Sequence, residues 1–346
     1  METDRSELLA AAHQAVEAWP IDPTHIELAS LSENAVFRVD ATNERSYALR
    51  IHRPGYNTLQ ELESELVWTD ALGAAGIGVP TAIRTRTGTG YAPVMMPGWA
   101  SPRQVGLVQW LPGKTLAAAM EAAAIGEVQA AGMAEQQDPT GAEQAFAQLG
   151  RIAARIHNQA STWAPPPGFA RRAWNADGLV GPNPLWGRFW ELPQLNPSQR
   201  DLLVRTRQAL WATLSDYGSD PQTYGLIHAD LHPYNVLVDQ DRLTVIDFDD
   251  AGFGWHQYEL AVALPSRPGQ QGSRATLQDA LVTGYRAERP LSDDALALLP
   301  AFMLIRMLVM MGWVHARPEL GHGARITPLI EAACAEADAF LAGTLS

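Results

Sequence analysis

The sequence predicts an α+β fold in two lobes: an N-terminal antiparallel five-stranded sheet plus one helix, followed by a larger, mostly helical C-terminal lobe. Three observations predict it. The 346 residues exceed what a single hydrophobic core usually organises. Residues 25–51 alternate apolar and polar positions with period two, as half-buried strands do. After Gly113 the pattern changes to Ala-rich segments of helical period.

Each element follows from local signals. Ile26-Glu27-Leu28, Ala35-Val36-Phe37-Arg38-Val39 and Tyr47-Ala48-Leu49-Arg50-Ile51 read as a meander, the last two joined by the polar turn Thr42-Asn43-Glu44-Arg45. Thr58 and Glu61 have capping-box spacing, and Leu62, Leu66 and Leu72 recur near helical period, so a helix is expected over 59–72. Gly76, Gly78 and Pro80 end it. The Gly88-Thr89-Gly90 turn separates two further strand-like segments, and 104–111 reads as the last strand. A cut there divides the chain into residues 1–111 and 112–346.

In the second part, helices are expected over 116–133, 142–160 and 197–217, the first two joined by the polar stretch Gln136-Gln137-Asp138-Pro139. Residues 163–190 hold Trp163, Trp174, Trp186 and Trp190 among many Pro and Gly residues, and read as an ordered loop region with short helices. Those tryptophans suit core packing, or an aromatic wall for a sugar or amino-alcohol. Val236-Leu237-Val238 and Leu243-Thr244-Val245-Ile246 form a hairpin-like pair, and helices follow.

Composition excludes several classes of function. The net charge of −13 disfavours nucleic acid and anionic lipid and favours a cationic ligand. Cys334 is the only cysteine, so neither an intramolecular disulfide nor a cysteine zinc site is available, and a reduced, cytoplasmic setting is expected. Residues 1–18 read as an amphipathic helix rather than a signal peptide. The most apolar stretch, 295–314, contains Pro300 and Arg306. An arginine at a bilayer centre costs roughly 2.5 to 3.5 kcal/mol, so this stretch is expected as a buried helix and no membrane partner is expected.

The chemistry concentrates in Leu226-Ile227-His228-Ala229-Asp230-Leu231-His232-Pro233-Tyr234-Asn235-Val236, followed by Ile246-Asp247-Phe248-Asp249-Asp250. Phosphoryl transfer needs one carboxylate to orient the attacking hydroxyl, and an amide oxygen and a second carboxylate to hold Mg2+ on the nucleotide phosphates. Asp230, Asn235 and Asp247 supply these groups in the order used by a kinase catalytic loop and its metal-binding segment. A His/Asp/Asn triple at this spacing arises by chance in roughly 1 to 2% of chains this long. The apolar flanks and the downstream Asp-Phe lower that greatly.

On these residues the chain resembles the aminoglycoside phosphotransferase, choline kinase and type II homoserine kinase superfamily. Weaker support comes from Leu49-Arg50-Ile51-His52-Arg53-Pro54-Gly55, Trp110-Leu111-Pro112-Gly113 and 149–157. The resemblance implies a bilobal protein-kinase-like fold, ATP and Mg2+ as cofactors, and transfer of the γ-phosphate to a hydroxyl. It makes residues 1–111 the nucleotide-binding lobe and 112–346 the catalytic and acceptor-binding lobe. By resemblance Asp230 is the catalytic base, and Asn235 and Asp247 are the metal ligands. Arg50 stands where the family's strand lysine is found, with Glu65 as its helix partner; Lys114 is the sole lysine of the chain. Ser32 and Asn34 occupy the first turn, over the phosphates, in place of a glycine-rich loop. Gln109 and Trp110 would present backbone groups to the base.

The chain departs from the family pattern at Tyr258-Glu259-Leu260-Ala261, where Asp is frequent at the second position, and at Tyr234, where a small residue is frequent. Asp249 and Asp250 suit two roles equally, extending the metal site or attracting a cationic substrate, and hydrogen-bonding the Gly252-Phe253-Gly254 loop. His228 is read as a buried support of the catalytic loop, and His232 and His256 show no metal-ligand pattern. The acceptor implied is a small-molecule hydroxyl, on an amino-alcohol, homoserine, an aminoglycoside or a sugar. Two alternatives stay open: a stress-response type of Ser/Thr protein kinase, and a nucleotide-binding pseudokinase serving as an interaction module. Oligomeric state is not legible.

Overall fold

Period-two burial builds the N-terminal sheet. The computed structural model describes residues 5–122, 140–240, 242–265, 271–317 and 326–345. In it, α1 (Arg5–Val16) precedes β1 (Pro23–Leu31), β2 (Ala35–Ala41), β3 (Ser46–Ile51), α2 (Leu59–Ala74), β4 (Tyr91–Val94), β5 (Arg103–Gln109) and the two-residue β6 (Lys114–Thr115). The first five strands form one antiparallel sheet, ordered β1-β2-β3-β5-β4. Phe37, Val39, Leu49, Ile51, Val105 and Leu107 share one face and pack with Leu8, Ala11 and Ala12 of α1 and with Trp19. Alternation therefore turns Arg50 to the opposite face. That side includes Leu62 and Leu66 of α2, which pack with Tyr91.

α2 begins with the expected capping box: the Glu61 amide donates to Thr58 Oγ1 at 3.2 Å, and the Thr58 amide donates to Glu61 Oε2 at 2.8 Å. One expected strand is absent. The segment before the 88–90 turn makes a single bridge, Ala82 to Val108, instead of a strand. It shares one edge of β5 with β4: the Ile83 amide donates to Leu107 O, and Gln109 donates to Thr81 O. Pro80 cannot donate to a ladder, which limits its length.

Chain proximity divides the protein into two units, Met1–Lys114 with Pro165–Arg171 and Leu237–Asp249, and Thr115–Ala164 with Arg172–Val236 and Asp250–Ser346. In the first unit, β9 (Val236–Asp239) and β10 (Arg242–Val245) are hydrogen-bonded neighbours. Gly78 lies so close to the Leu243 carbonyl that no side chain fits, and Val245 donates to the Gly78 carbonyl at 2.8 Å. The strand pair and the segment that follows it are thereby docked on the N-terminal unit, across a long sequence separation.

The second unit is helical around a small sheet. It contains α3 (Thr140–Thr162), β7 (Ala173–Trp174), α4 (Ala176–Val180), α5 (Pro197–Tyr217), β8 (Tyr224–Ile227), β11 (Gly252–Trp255), α6 (His256–Ala263), α7 (Gln271–Arg286), α8 (Asp293–Leu296), α9 (Leu299–Ala316) and α10 (Ile326–Leu341). Residues 116–122 are helical, while the rest of the expected 116–133 helix and the Gln136–Pro139 stretch lie outside the described residues. The Gly252-Phe253-Gly254 segment, expected as a loop, is strand β11, antiparallel to β8 and parallel to β7. Its glycines permit this, because a Cβ at Gly252 would strike the Arg172 carbonyl and one at Gly254 would crowd Ile227 and Trp174.

The expected 295–314 helix is broken into α8 and α9, with Pro300 in the first turn of α9, where its missing N–H costs nothing. This is the one described stretch long and apolar enough to cross a membrane, and most of it is buried inside the protein. Trp174 and Trp186 are core residues, at 0% and 4% exposure.

α3 and α7 approach at two glycines, Gly150 against the Leu281 carbonyl and Gly284 against the Ala147 carbonyl. Gly284→Val must push these helices apart, so it should cost about 1 to 3 kcal/mol and lower the melting temperature by several degrees. Gly141→Ala, in α3, meets nothing within 4 Å and should be neutral or stabilising by up to about 1 kcal/mol. Thermal unfolding of the two variants checks both statements.

Candidate active site

Two sets of candidate side chains are present, one in each unit. In the first, Arg50 on β3 is central. One terminal nitrogen meets Asp247 Oδ1 at 2.5 Å and Asp249 Oδ2 at 2.8 Å. Burial opposes its charge, but the carboxylates of Asp247, Asp249 and Glu65 outweigh burial and raise its pKa. Asp249 is nearly buried and is the better-held carboxylate. Asn34 Nδ2 donates to Asp249 Oδ2 at 2.5 Å, and His52 Nδ1 lies 3.5 Å from Oδ1. Burial pushes the Asp249 carboxyl up, yet Arg50, His52 and Asn34 prevail and hold it far below the usual carboxylate range. Asp247, by contrast, is 45% exposed, and its backbone adopts φ 68°.

The expected Arg50–Glu65 pair is not formed. Glu65 instead faces Arg171 at 3.7 Å, while Arg50 is taken by the two aspartates. Arg171 also donates to the carbonyls of Glu61, Phe248 and Asp249 at 2.7 to 2.9 Å, tying α2 to the segment that carries Asp247. Burial and the nearby Asp249 charge raise the Glu65 pKa. Of the other expected nucleotide residues, Ser32 is exposed in the β1–β2 turn, whereas Asn34 is 6% exposed. Asn34 spends its carboxamide on Asp249 and on the Arg53 amide, which donates to it at 2.9 Å. The amides of Gln109 and Trp110 donate to Thr81 O and Ser46 O, so a base would have to meet their carbonyls.

In the second unit, β8 delivers the loop that carries Asp230. Glu259 on α6 is fully buried and accepts two successive backbone amides, from His228 at 2.8 Å and Ala229 at 2.7 Å. This clamp holds Ala229 at φ 65°, a conformation costing a non-glycine residue roughly 1 to 2 kcal/mol. The residue at the Tyr-Glu-Leu-Ala departure is thus the anchor of the loop. Burial raises the Glu259 pKa, against the pull of His228 and the two amides. Behind it lie His157, with Nε2 3.7 Å from Glu259 Oε1, its stacked neighbour His256 at 4.1 Å, and Tyr285, 2.9 Å from His157 Nδ1.

Asp230 itself is held at both oxygens. Arg306 donates to Oδ1 at 2.8 Å, Asn235 Nδ2 donates to Oδ2 at 3.0 Å, and His232 Nε2 lies 3.3 Å from Oδ2. Burial pushes its carboxyl up, but His232 and Arg306 outweigh that and place it well below the usual range. Asn235 also donates to the Asp230 carbonyl at 2.9 Å. Its amide nitrogen is therefore spent, and its oxygen is what it can offer a cation.

Both expected metal ligands fit a hard divalent cation. The Asn235 carbonyl oxygen and the half-exposed Asp247 carboxylate are oxygen donors of the kind Mg2+ prefers. Among the described residues no group of three or more His, Cys, Asp or Glu side chains makes a complete protein cage. Mg2+ is commonly held by one or two carboxylates together with substrate phosphates.

Residues missed from sequence are Asp249, Arg171, His232, Glu259 and Arg306. Arg306 had a signal, a charge within the most apolar stretch, and Glu259 had one in its departure from the family pattern. Arg171 had none.

The chain as a whole is similar to known proteins. Residues 24–293 fit the family described as "Phosphotransferase enzyme family". The chain belongs to this aminoglycoside phosphotransferase-like family and is a phosphotransferase. It resembles the solved structure of the microcompartment-associated aminopropanol kinase, at 30% identity and TM-score 0.80, over 97% of this chain and 99% of that one. A homoserine kinase of Xanthobacter autotrophicus is 28% identical over 86% of this chain and 81% of its own. An amicoumacin kinase in complex with AMP-PNP and Ca2+ shares the fold at 19% identity and TM-score 0.74, over 96% and 94% of the two chains.

Two outcomes follow from the loop anchor. Glu259→Gln turns an NH2 group toward a buried amide, leaving a donor unpaired at about 1 to 3 kcal/mol. The melting temperature and the turnover number should both fall, as thermal melts and initial rates would show.

Burial holds His157 and His256 far below the ordinary histidine pKa, so both are neutral in the folded protein. Unfolding lets each take a proton below about pH 6.5, so stability present above that pH is lost as pH falls, by about 1.4 kcal/mol per unit for each histidine. Denaturant unfolding at pH 7 and pH 5 should show this slope, and His157→Phe should flatten it.

Proposed function

We propose that this phosphotransferase moves the γ-phosphate of ATP, with Mg2+, to a hydroxyl on a small molecule of the amino-alcohol, homoserine, aminoglycoside or sugar type. The observation that carries the reading is the Asp230–Asn235 pair on a loop anchored by Glu259. A carboxylate so fixed can orient an acceptor hydroxyl. The aminopropanol and homoserine acceptors named for the relatives support the acceptor class, and the AMP-PNP and Ca2+ of the amicoumacin kinase support a nucleotide with a divalent cation.

In this reading Asp230 orients the acceptor O–H and takes its proton as the oxygen attacks the γ-phosphorus. The bond from that phosphorus to the β–γ bridging oxygen breaks, and ADP leaves. Asn235 and Asp247 would hold Mg2+, which neutralises phosphate charge when bound. Arg50 supplies the cation that a strand lysine supplies elsewhere. A guanidinium can meet phosphate through two parallel N–H bonds, so it can serve, with a different geometry from a lysine point charge.

ADP formation should depend on Mg2+ and be stimulated by one member of a panel of amino-alcohols, homoserine, aminoglycosides and sugars. Asp230→Ala should lower that turnover by about 10² to 10⁴ with nucleotide binding retained. Nucleotide binding with no turnover on any acceptor would favour the pseudokinase alternative, and turnover only with a protein substrate would favour the protein-kinase one.

A further inference from the structure

Arg306 is an isolated charge on the most apolar helix of the chain. Its neighbours along the buried face of α9 include Phe302, Leu304, Ile305, Met307, Leu308 and Val309. The side chain is 8% exposed, and its charge persists there because the Tyr258 phenol and the Asp230 carboxylate outweigh the penalty of burial. The guanidinium lies over the Trp186 ring at 5.0 Å, and Trp186 is 4% exposed, so the planar group is fixed from one side. From that seat it donates to one oxygen of Asp230 only, Oδ1.

The two oxygens of Asp230 are thus unequal. Oδ1 is bound on the buried side, by Arg306. Oδ2 instead faces Asn235 and the His232 side chain, which is 26% exposed. A carboxylate free to turn about its terminal bonds would present either oxygen in several directions. One held at Oδ1 by a guanidinium seated on a buried helix and against Trp186 presents its other oxygen in one direction.

We propose that Arg306 is a positioning residue for phosphoryl transfer, holding Oδ1 of Asp230 so that Oδ2 is the oxygen presented to the acceptor hydroxyl. This rests on the reading of Asp230 as the group that orients the acceptor. Arg306 acts through Asp230, and the groups assigned to the nucleotide, Arg50 and Asp247, are not among its ion-pair partners. Its loss should therefore change kcat and spare the KM for ATP. A merely structural role would lower the melting temperature and the folded fraction, without changing turnover per folded site.

The test compares Arg306→Lys and Arg306→Met with the wild type, with kcat and the KM for ATP measured per nucleotide-binding site and folding followed by circular dichroism. Lysine keeps the charge but loses the planar fork. Displacements of about 1 Å at a reacting group can cost on the order of 100-fold. Arg306→Lys should lower kcat by about tenfold and Arg306→Met by about 100-fold, each with the KM for ATP within twofold of wild type.

Wild-type kcat in folded Arg306→Lys overturns the proposal, as does a loss expressed equally in the KM for ATP. Should Arg306→Met not fold, the kcat of Arg306→Lys decides alone. If the wild type turns over an acceptor, Asp230→Ala abolishes it and Arg306→Lys has no effect, only this proposal fails. If the wild type shows neither acceptor turnover nor Mg2+-dependent ATP hydrolysis, the kinase reading fails and this one falls with it.

Discussion

A buried carboxylate holds the backbone that aims Asp230. Glu259 accepts the amides of His228 and Ala229 from within the core, where a lost acceptor could not be replaced by water. The bend at Ala229 is unfavourable in isolation and persists because both amides have their partner there and nowhere else. Asp230, Asn235 and the start of β9 follow directly in the chain. The same carboxylate looks back on the His157–His256 stack, so α3 and α6 are organised around one charge.

The first unit solves a similar problem with the signs reversed. A cation, Arg50, is turned away from the apolar face of the sheet by simple alternation, and three carboxylates gather near it. Two of them come from one Asp-Phe-Asp segment, and they differ in burial: Asp249 is enclosed by Asn34 and His52, while Asp247 stays open. That division leaves one carboxylate enclosed and one open to solvent. In a chain with a single, exposed lysine, arginine carries all of this work. Arg171 is part of the same economy, linking the carbonyls of α2 and of Phe248 and Asp249.

Local chemistry made much of this legible before any coordinates. The capping box at Thr58 placed α2, the alternation at 35–51 placed β2 and β3, and His228-x-Asp230 with Asn235 and Asp247 marked the groups proposed for phosphoryl transfer. Each of these signals is confined to a few neighbouring residues, so a linear reading reaches it. The strand at 252–255 was hidden because its glycines look like loop residues until the neighbours they admit are known. The break at Leu298 was foreshadowed by Pro300 and yet was read through, because apolar residues continue on both sides.

By itself the sequence determined the class of most elements, the face on which the side chains of β2 and β3 lie, and the set of residue types that phosphoryl transfer requires. Only the tertiary structure decided which charges meet. Glu65 passes to Arg171 rather than Arg50, Asp249 rather than Asp250 becomes the buried carboxylate, and Arg306 finds Asp230 across 76 positions of sequence. The physical reason is that burying a charge is costly unless a counter-charge is placed against it. Periodicity shows that a residue is buried, but the identity of its partner depends on which distant segment packs there.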